Sequence, residues 1–488
     1  MISADKGEGA KDAKRVTKNA FFLTSSDIFN KGLFFLFFII ASRHLGTKNF
    51  GILSFCISFV TMLNLITDWG MGYYLSREVA RDKSLTEFFT SNIFTMKVIL
   101  SLIAILMVFV LSISLNLSPD TKRSLYVMSP FILFNTLWLL EIAIFRAYEK
   151  MEYIAIGKIC YAIILALGGI VLKLQHLRTE YFSLLYLFAI SITFFLSCII
   201  LSKKFTKFTF NYNFSAWRSI IKNSIPFGLS AIFVTFYYWN NSTFILKWKG
   251  EEAVGWFNAP YRIVLGLATF GIAFSEALYP AISRYFVSLQ IERIKTILSL
   301  GFKYITTFIL PICLLVFIFS NELIFLLFGS SYFPSISALK ILIWWCFFIY
   351  INSISSSFFN ATNRAHCVAR QTALSAAVNL IFNLILIKKF GLLGASCSLV
   401  VAELAGTIYL IILIYKVYPD LVIKLTGALL KKPIIALIVP GLFASIFRKT
   451  NVFLAIFLYI TSYLFFIFIN KGLSREDITL MKEIIKIK

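Results

Sequence analysis

Apolar residues run along this chain in long blocks separated by short polar connections. Fourteen blocks are each long enough to cross a bilayer as a helix of about 20 residues. They span 17–42, 50–76, 88–116, 124–146, 152–172, 180–202, 219–246, 252–283, 297–320, 335–363, 365–387, 391–415, 432–447 and 451–470. The pattern predicts an all-α polytopic membrane protein of about fourteen transmembrane helices. An even number places the two ends of the chain on one side of the membrane.

Composition supports the same class. Of 488 residues, 59% are hydrophobic and only 14% charged, with a mean hydropathy of +0.84. Charged residues alone make up about a quarter of a typical soluble domain, so lipid is the expected solvent here. The opening stretch MISADKGEGAKDAKRVTKNA is polar and runs directly into the first block, unlike a cleavable signal. The seven cysteines (Cys56, Cys160, Cys198, Cys313, Cys346, Cys367 and Cys397) lie inside apolar blocks at no metal-ligand spacing, and so read as core residues.

Lysine and arginine then choose the orientation. About two-thirds of them lie in the termini and the even-numbered connections, for example Arg77, Arg81 and Lys83, then Lys203, Lys204 and Lys207. The bias predicts cytoplasmic termini. It also accounts for the net charge of +24 without a nucleic-acid partner, with some of the charge free to attract anionic headgroups.

The chain repeats its own landmarks. FRAYEKMEY ends the fourth block and FNATNRAHC the tenth, with Phe145, Ala147 and Lys150 matched by Phe359, Ala361 and Arg364. LGTKNFGILSF opens the second block and KGEEAVGWFNA the eighth, so that Gly46 and Gly51 match Gly250 and Gly255. These matches predict two six-helix lobes, 17–205 and 206–420, in the same orientation about an axis along the membrane normal. A cytoplasmic segment (1–16) precedes them, and a two-helix appendage (421–470) and a cytoplasmic tail (471–488) follow. The connections are too short for a soluble catalytic domain.

The stretches RHLGTKNFGILSF, NLITDWGMGYYLSREVARD and IPFGLSAIFVTFYYWNNSTFILKWKGEEAVGWFNAPYRI resemble the polysaccharide-exporter branch of the multidrug/oligosaccharidyl-lipid/polysaccharide flippase superfamily. ARQTALSAAVNLIFNLILIKKFGLLGAS, with Asn379, Asn383, Gly391 and Gly394, resembles that family's eleventh and twelfth helices. The resemblance covers about residues 17–470. It implies a V-shaped pair of lobes around a cavity lined mainly by helices one, two, seven and eight. It also implies transport of polyprenyl-pyrophosphate-linked glycans, such as an O-antigen or capsule unit, across the cell membrane, with a glycan polymerase and glycosyltransferases as possible partners.

Embedded charges concentrate in those helices: Asp27 and Lys31 in the first, Asp68 in the second, Arg262 and Glu276 in the eighth. Asp27 and Lys31 are four apart and so able to pair on one helix face, either as a structural pair or as one that opens for an anion. Arg262 sits in GWFNAPYRIVLGLATFGIAFSEALYP, where a charge costs at least ~2.5–3.5 kcal/mol on insertion scales unless protein or water surrounds it. Its guanidinium fork suits a pyrophosphate, and lipid II flippases in the superfamily use arginines in this cavity. Glu276 lies about 21 Å further along the helix, too far to pair with it directly. Asp68, before Gly70 and Gly72 in DWGMG, reads either as a proton or cation site (H+ or Na+) or as a helix-end residue. Tyr237, Tyr238 and Trp239 with Asn240 and Asn241 could contact sugar, or else form an interfacial aromatic belt. Lys97, Glu141 and Glu403 are embedded with no partner that sequence can assign.

The leading expectation is therefore a flippase rather than an enzyme, with no cofactor. No G-x-x-x-x-G-K-[ST] loop occurs, so an ion gradient or consumption of product would drive transport. The alternatives are a cation-coupled multidrug antiporter, which Asp27, Asp68 and Glu276 would serve, a membrane-embedded glycan polymerase or ligase, and a non-transporting scaffold or scramblase. The polymerase would need a long outer loop, and His44, His176 and His366 are scattered through the sequence.

Overall fold

A computed structural model describes residues 2–424 and 430–469. Every regular element among them is helical. The chain divides into two compact units, Met1–Asn258 and Ala259–Lys488.

The first unit holds α1 (Ile2–Leu63), α2 (Leu65–Asp68), α3 (Met71–Arg81), α4 (Thr86–Ser114), α5 (Pro119–Met128), α6 (Phe131–Ala147), α7 (Met151–Leu174), α8 (Thr179–Lys204) and the first part of α9 (Phe214–Val287). The second holds the rest of α9, then α10 (Ile291–Tyr304), α11 (Leu310–Ile318), α12 (Ser320–Leu327), α13 (Ser335–Ala361), α14 (Ala365–Phe382), α15 (Lys388–Phe390), α16 (Leu392–Val417), α17 (Pro419–Lys424), α18 (Leu430–Phe447) and α19 (Val452–Ile469).

Among the described residues, ten helices are long and apolar enough to cross a membrane, against the fourteen blocks expected. The difference has a simple origin. Ser25–Asp68 and Ala231–Val287 each carry two blocks in one run, with non-helical backbone at Gly46 (φ 70°, ψ 179°) and Gly250 (φ 83°, ψ −178°) where the blocks meet. Only glycine enters such backbone readily, and the two breaks occupy the matched positions of the repeat. The last two blocks form the shorter apolar helices Leu437–Phe447 and Val452–Ile467.

Packing follows the logic of a lipid solvent. On α4, Ser101, Ala104, Val108 and Ser112 face inward, while Leu102, Leu106, Val110 and Ile113 face out. Small side chains inside let helix backbones approach closely, and large apolar ones meet lipid tails. Where α1 meets α7 and α8, aromatic rings fill the interior. Phe37 lies 5.5 Å from Tyr186, edge to face, and Gly169 leaves room for the Phe37 ring.

In the second unit, Tyr261 stacks on the buried Trp345 at 5.3 Å, and the Tyr350 hydroxyl donates to the Leu267 carbonyl at 2.8 Å. The C-terminal helix pair is tied to the turns around α11. Pro311 has no N–H, so the Thr307 carbonyl four residues earlier lacks its helical donor. The Tyr463 hydroxyl supplies one at 2.6 Å, and Tyr459 bonds the Pro311 carbonyl at 2.8 Å. Arg448 adds an ion pair to Glu322 at 2.6 Å.

Candidate functional site

Two carboxylates of the first unit, Asp27 and Asp68, each pair with a lysine on a different helix. Asp27 on α1 accepts from Lys158 on α7 at 2.5 Å. This partner is 131 residues away in sequence. Lys31 is exposed on α1.

Asp68 sits where the second block breaks. Trp69 (φ 45°) and Gly70 (φ 84°) are both left-handed and end the helix at DWG, as the paired glycines suggested. At this break the Asp68 carboxylate forms an ion pair with Lys97 of α4, whose side chain is wholly buried, while that of Asp68 is 33% exposed. Beside it, Thr67 and Thr136 share a hydrogen bond at 2.6 Å, and Thr136 also donates to Asn64 Oδ1 at 3.1 Å. Lys97 therefore has the counter-ion that sequence could not assign. Asp68 is both a helix-end residue and the counter-ion of a buried lysine.

The aromatic and amide run of the seventh block points largely inward. Tyr237, Asn240 and Asn241 are buried, and Tyr238 and Trp239 are half-buried. Asn241 Nδ2 donates to the Tyr237 carbonyl at 3.2 Å. One residue on, Ser242 accepts from Ser58 of α1 and from Asn258, both at 3.1 Å. This polar seam joins α1 to α9.

At the end that the lysine bias assigns to the outside, Glu251 Oε1 accepts from Thr121 Oγ1 at 2.5 Å and from Ser118 Oγ, the N-cap of α5. Lys48 stands 3.8 Å from Glu251 Oε2, and Thr47 donates to Glu252 at 2.8 Å. A cavity of about 530 Å³ opens beside this cluster, lined by Asn116, Ser118, Thr121, Thr243, Lys247 and Glu251. Sequence reading passed over Glu251 and Glu252. Their only signal was their place beside Gly250 in the repeated landmark.

In the second unit Arg262 is buried, at 6% exposure, next to the Tyr261–Trp345 stack. Glu276 is exposed. Glu403 accepts from Asn352 Nδ2 at 2.8 Å. Glu141, in the first unit, is buried with neither carboxyl oxygen hydrogen-bonded among the described residues. His44 and His176, far apart in sequence, have ring centroids 5.9 Å apart. No group of three or more metal-ligating side chains occurs among the described residues.

Comparison with known proteins places this arrangement. The family model described as "Polysaccharide biosynthesis protein" matches residues 16–286, and the MatE model matches 226–385. A relative in Haloferax volcanii, the probable low-salt glycan biosynthesis flippase Agl15, is 24% identical over 385 residues, covering 78% of this chain and 80% of its own. Among solved structures, the lipid II flippase MurJ in an inward closed conformation aligns with a TM-score of 0.77 at 16% identity, over 92% of this chain and 98% of its own. An inward-facing multidrug resistance MATE family transporter aligns with a TM-score of 0.62 at 16% identity, over 81% and 96%. The structural likenesses show a shared fold, and the family match covers more than half the chain. This multi-pass membrane protein belongs to the polysaccharide biosynthesis protein family, within the multidrug/oligosaccharidyl-lipid/polysaccharide flippase superfamily.

Proposed function

We propose that the protein is a flippase that moves a polyprenyl-pyrophosphate-linked oligosaccharide from the cytoplasmic to the outer leaflet of the plasma membrane. The observation that carries this reading is the relationship to a glycan-biosynthesis flippase over 78% of the chain, on a fold made of membrane helices. Arg262 is the residue assigned to the pyrophosphate. It is buried in a largely apolar stretch of α9, where a planar, weakly hydrated and permanently charged fork can replace the hydration a phosphate loses. Lys31 is a second cation of this assignment. The lobes at 17–205 and 206–420 are the moving parts in this reading, rocking by alternating access.

A cation-coupled multidrug antiporter is the second reading, favoured by the MatE match over 226–385. Against it, Asp27 and Asp68 each already hold a lysine ammonium, which leaves less room for an exchangeable cation at either carboxylate.

Lipid extraction from cells lacking the protein tests the proposal. Accumulated full-length glycan-lipid, cleared by the wild-type chain but not by Arg262→Ala, supports both the flippase and its site. Clearance by both forms discards Arg262. Drug sensitivity without accumulation favours the antiporter.

A further inference from the structure

The connection between the sixth and seventh apolar blocks, residues 206–213, is not helical, yet it is held in place along its length. Thr209 hydrogen-bonds Ser91 at 2.6 Å, and the Asn211 N–H donates to Thr95 Oγ1 at 2.9 Å. Just beyond it, Trp217 Nε1 donates to Asn92 Oδ1 at 3.1 Å. Phe208 stacks flat on Phe94 at 4.8 Å, with Phe210 on the same ring at 5.1 Å. The connection is thus a strap pinned to the first turns of α4. Its outward face, continued by the first residue of α9, carries three aromatic rings among polar side chains. Phe210, Tyr212 and Phe214 are 62%, 63% and 73% exposed, and Phe210–Tyr212 (6.5 Å) and Phe214–Trp217 (4.9 Å) continue the row.

Water is a poor partner for such a row, and a strap fixed by four side chains of α4 cannot fold it away. The flanking charge is of one sign. Lys203, Lys204, Lys207, Arg218 and Lys222 are all exposed, and no aspartate or glutamate occurs from residue 181 to residue 250. Lys204 reaches the Tyr153 hydroxyl at 2.7 Å, a neutral partner that leaves its charge uncompensated. Aromatic rings that lie at the boundary between headgroups and acyl chains, ringed by lysines, match an anionic bilayer surface.

We infer that this strap is a binding surface for anionic phospholipid headgroups, with Phe210, Tyr212 and Phe214 seated at the headgroup boundary and Lys203, Lys204 and Lys207 engaging phosphate. The inference does not depend on the reading of the protein as a flippase. Because the strap joins the sixth and seventh blocks, lipid bound there holds this connection to the membrane surface.

The test uses the full chain with its native cysteines replaced and Tyr212→Cys carrying an environment-sensitive fluorophore, in phosphatidylcholine nanodiscs to which phosphatidylglycerol is added. The expected result is a blue shift that grows with phosphatidylglycerol. Each of Lys203→Gln, Lys204→Gln and Lys207→Gln should weaken the response about fivefold, the worth of one lysine near an anionic surface. Lys122→Gln with Arg123→Gln, a basic pair elsewhere, should leave it unchanged. Native mass spectrometry of the unlabelled chain, counting retained phosphatidylglycerol, guards against a disturbed strap. A label indifferent to phosphatidylglycerol, or a response equal in the triple-lysine variant and the wild type, overturns the inference. So does a shift produced by a soluble protein and not by lipid.

Discussion

Gly51 and Gly255 meet backbone to backbone: a methyl group on Gly51 would overlap the Glu251 carbonyl, and one on Gly255 would overlap the Thr47 carbonyl. The two contacts are images of each other, since Thr47 and Gly51 stand to Gly46 as Glu251 and Gly255 stand to Gly250. The repeated landmark seen in the sequence is therefore a contact made with itself. Small residues are required because the two helices cross at backbone distance.

This contact makes Gly51→Ala and Gly255→Ala costly. Each should lower stability by about 1–3 kcal/mol, the range for overpacking a tight interior. Gly266→Ala, where an added methyl meets open space, is the control and should be neutral or slightly stabilising. Thermal unfolding of the purified protein in detergent reads all three.

The Asp68–Lys97 pair joins a wholly buried ammonium to a carboxylate that is one-third exposed. Asp68→Leu strands the wholly buried Lys97 ammonium and should cost about 3–5 kcal/mol, whereas Lys97→Met leaves a carboxylate that water reaches and should cost less. Removing both together should recover most of that loss. A double variant no more stable than the singles would show that the two charges do not depend on each other.

Tyr463→Phe removes the donor to the Thr307 carbonyl and should cost about 1–3 kcal/mol, the price of leaving a buried acceptor unsatisfied. Pro311→Ala returns an N–H to the helix and gives that carbonyl its own partner. In the Pro311→Ala background the tyrosine change should therefore cost less. A double-mutant cycle on unfolding temperature measures the coupling.

Arg262→Lys separates charge from shape. Lysine keeps the charge but loses the two-pronged fork, so transport should fall between wild type and Arg262→Ala. Equal activity of the lysine and arginine forms would mean that charge alone suffices.

How much was legible in the sequence varies with the distance over which residues act. The spans were readable because a helix that faces lipid must be apolar over its whole length, which is a local requirement. The breaks at Gly46 and Gly250 were readable as matched glycines, though not the continuity of helix through them. Asp68 as a helix-end residue was one of the two readings that the glycines beside it left open. Its lysine was not legible, because Lys97 is 29 residues away on another helix, and Lys158 is 131 residues from Asp27. One-turn spacing finds neighbours on the same helix only. Glu251 was missed because its hydroxyl partners, Ser118 and Thr121, lie on a connection more than a hundred residues earlier. The interior placement of Asn240 and Asn241 was likewise hidden, since an amide in an apolar run looks the same whether it faces a headgroup or a serine.

The most direct measurement is the leaflet in which the glycan-lipid resides. Cells with and without the protein are treated with a membrane-impermeant reagent that modifies exposed glycan, and the lipid-linked oligosaccharide is then extracted. If the protein is the flippase proposed here, the full-length glycan-lipid stays protected in its absence and becomes modified when the wild-type chain is restored. Modification to the same extent and at the same rate without the protein would contradict the account.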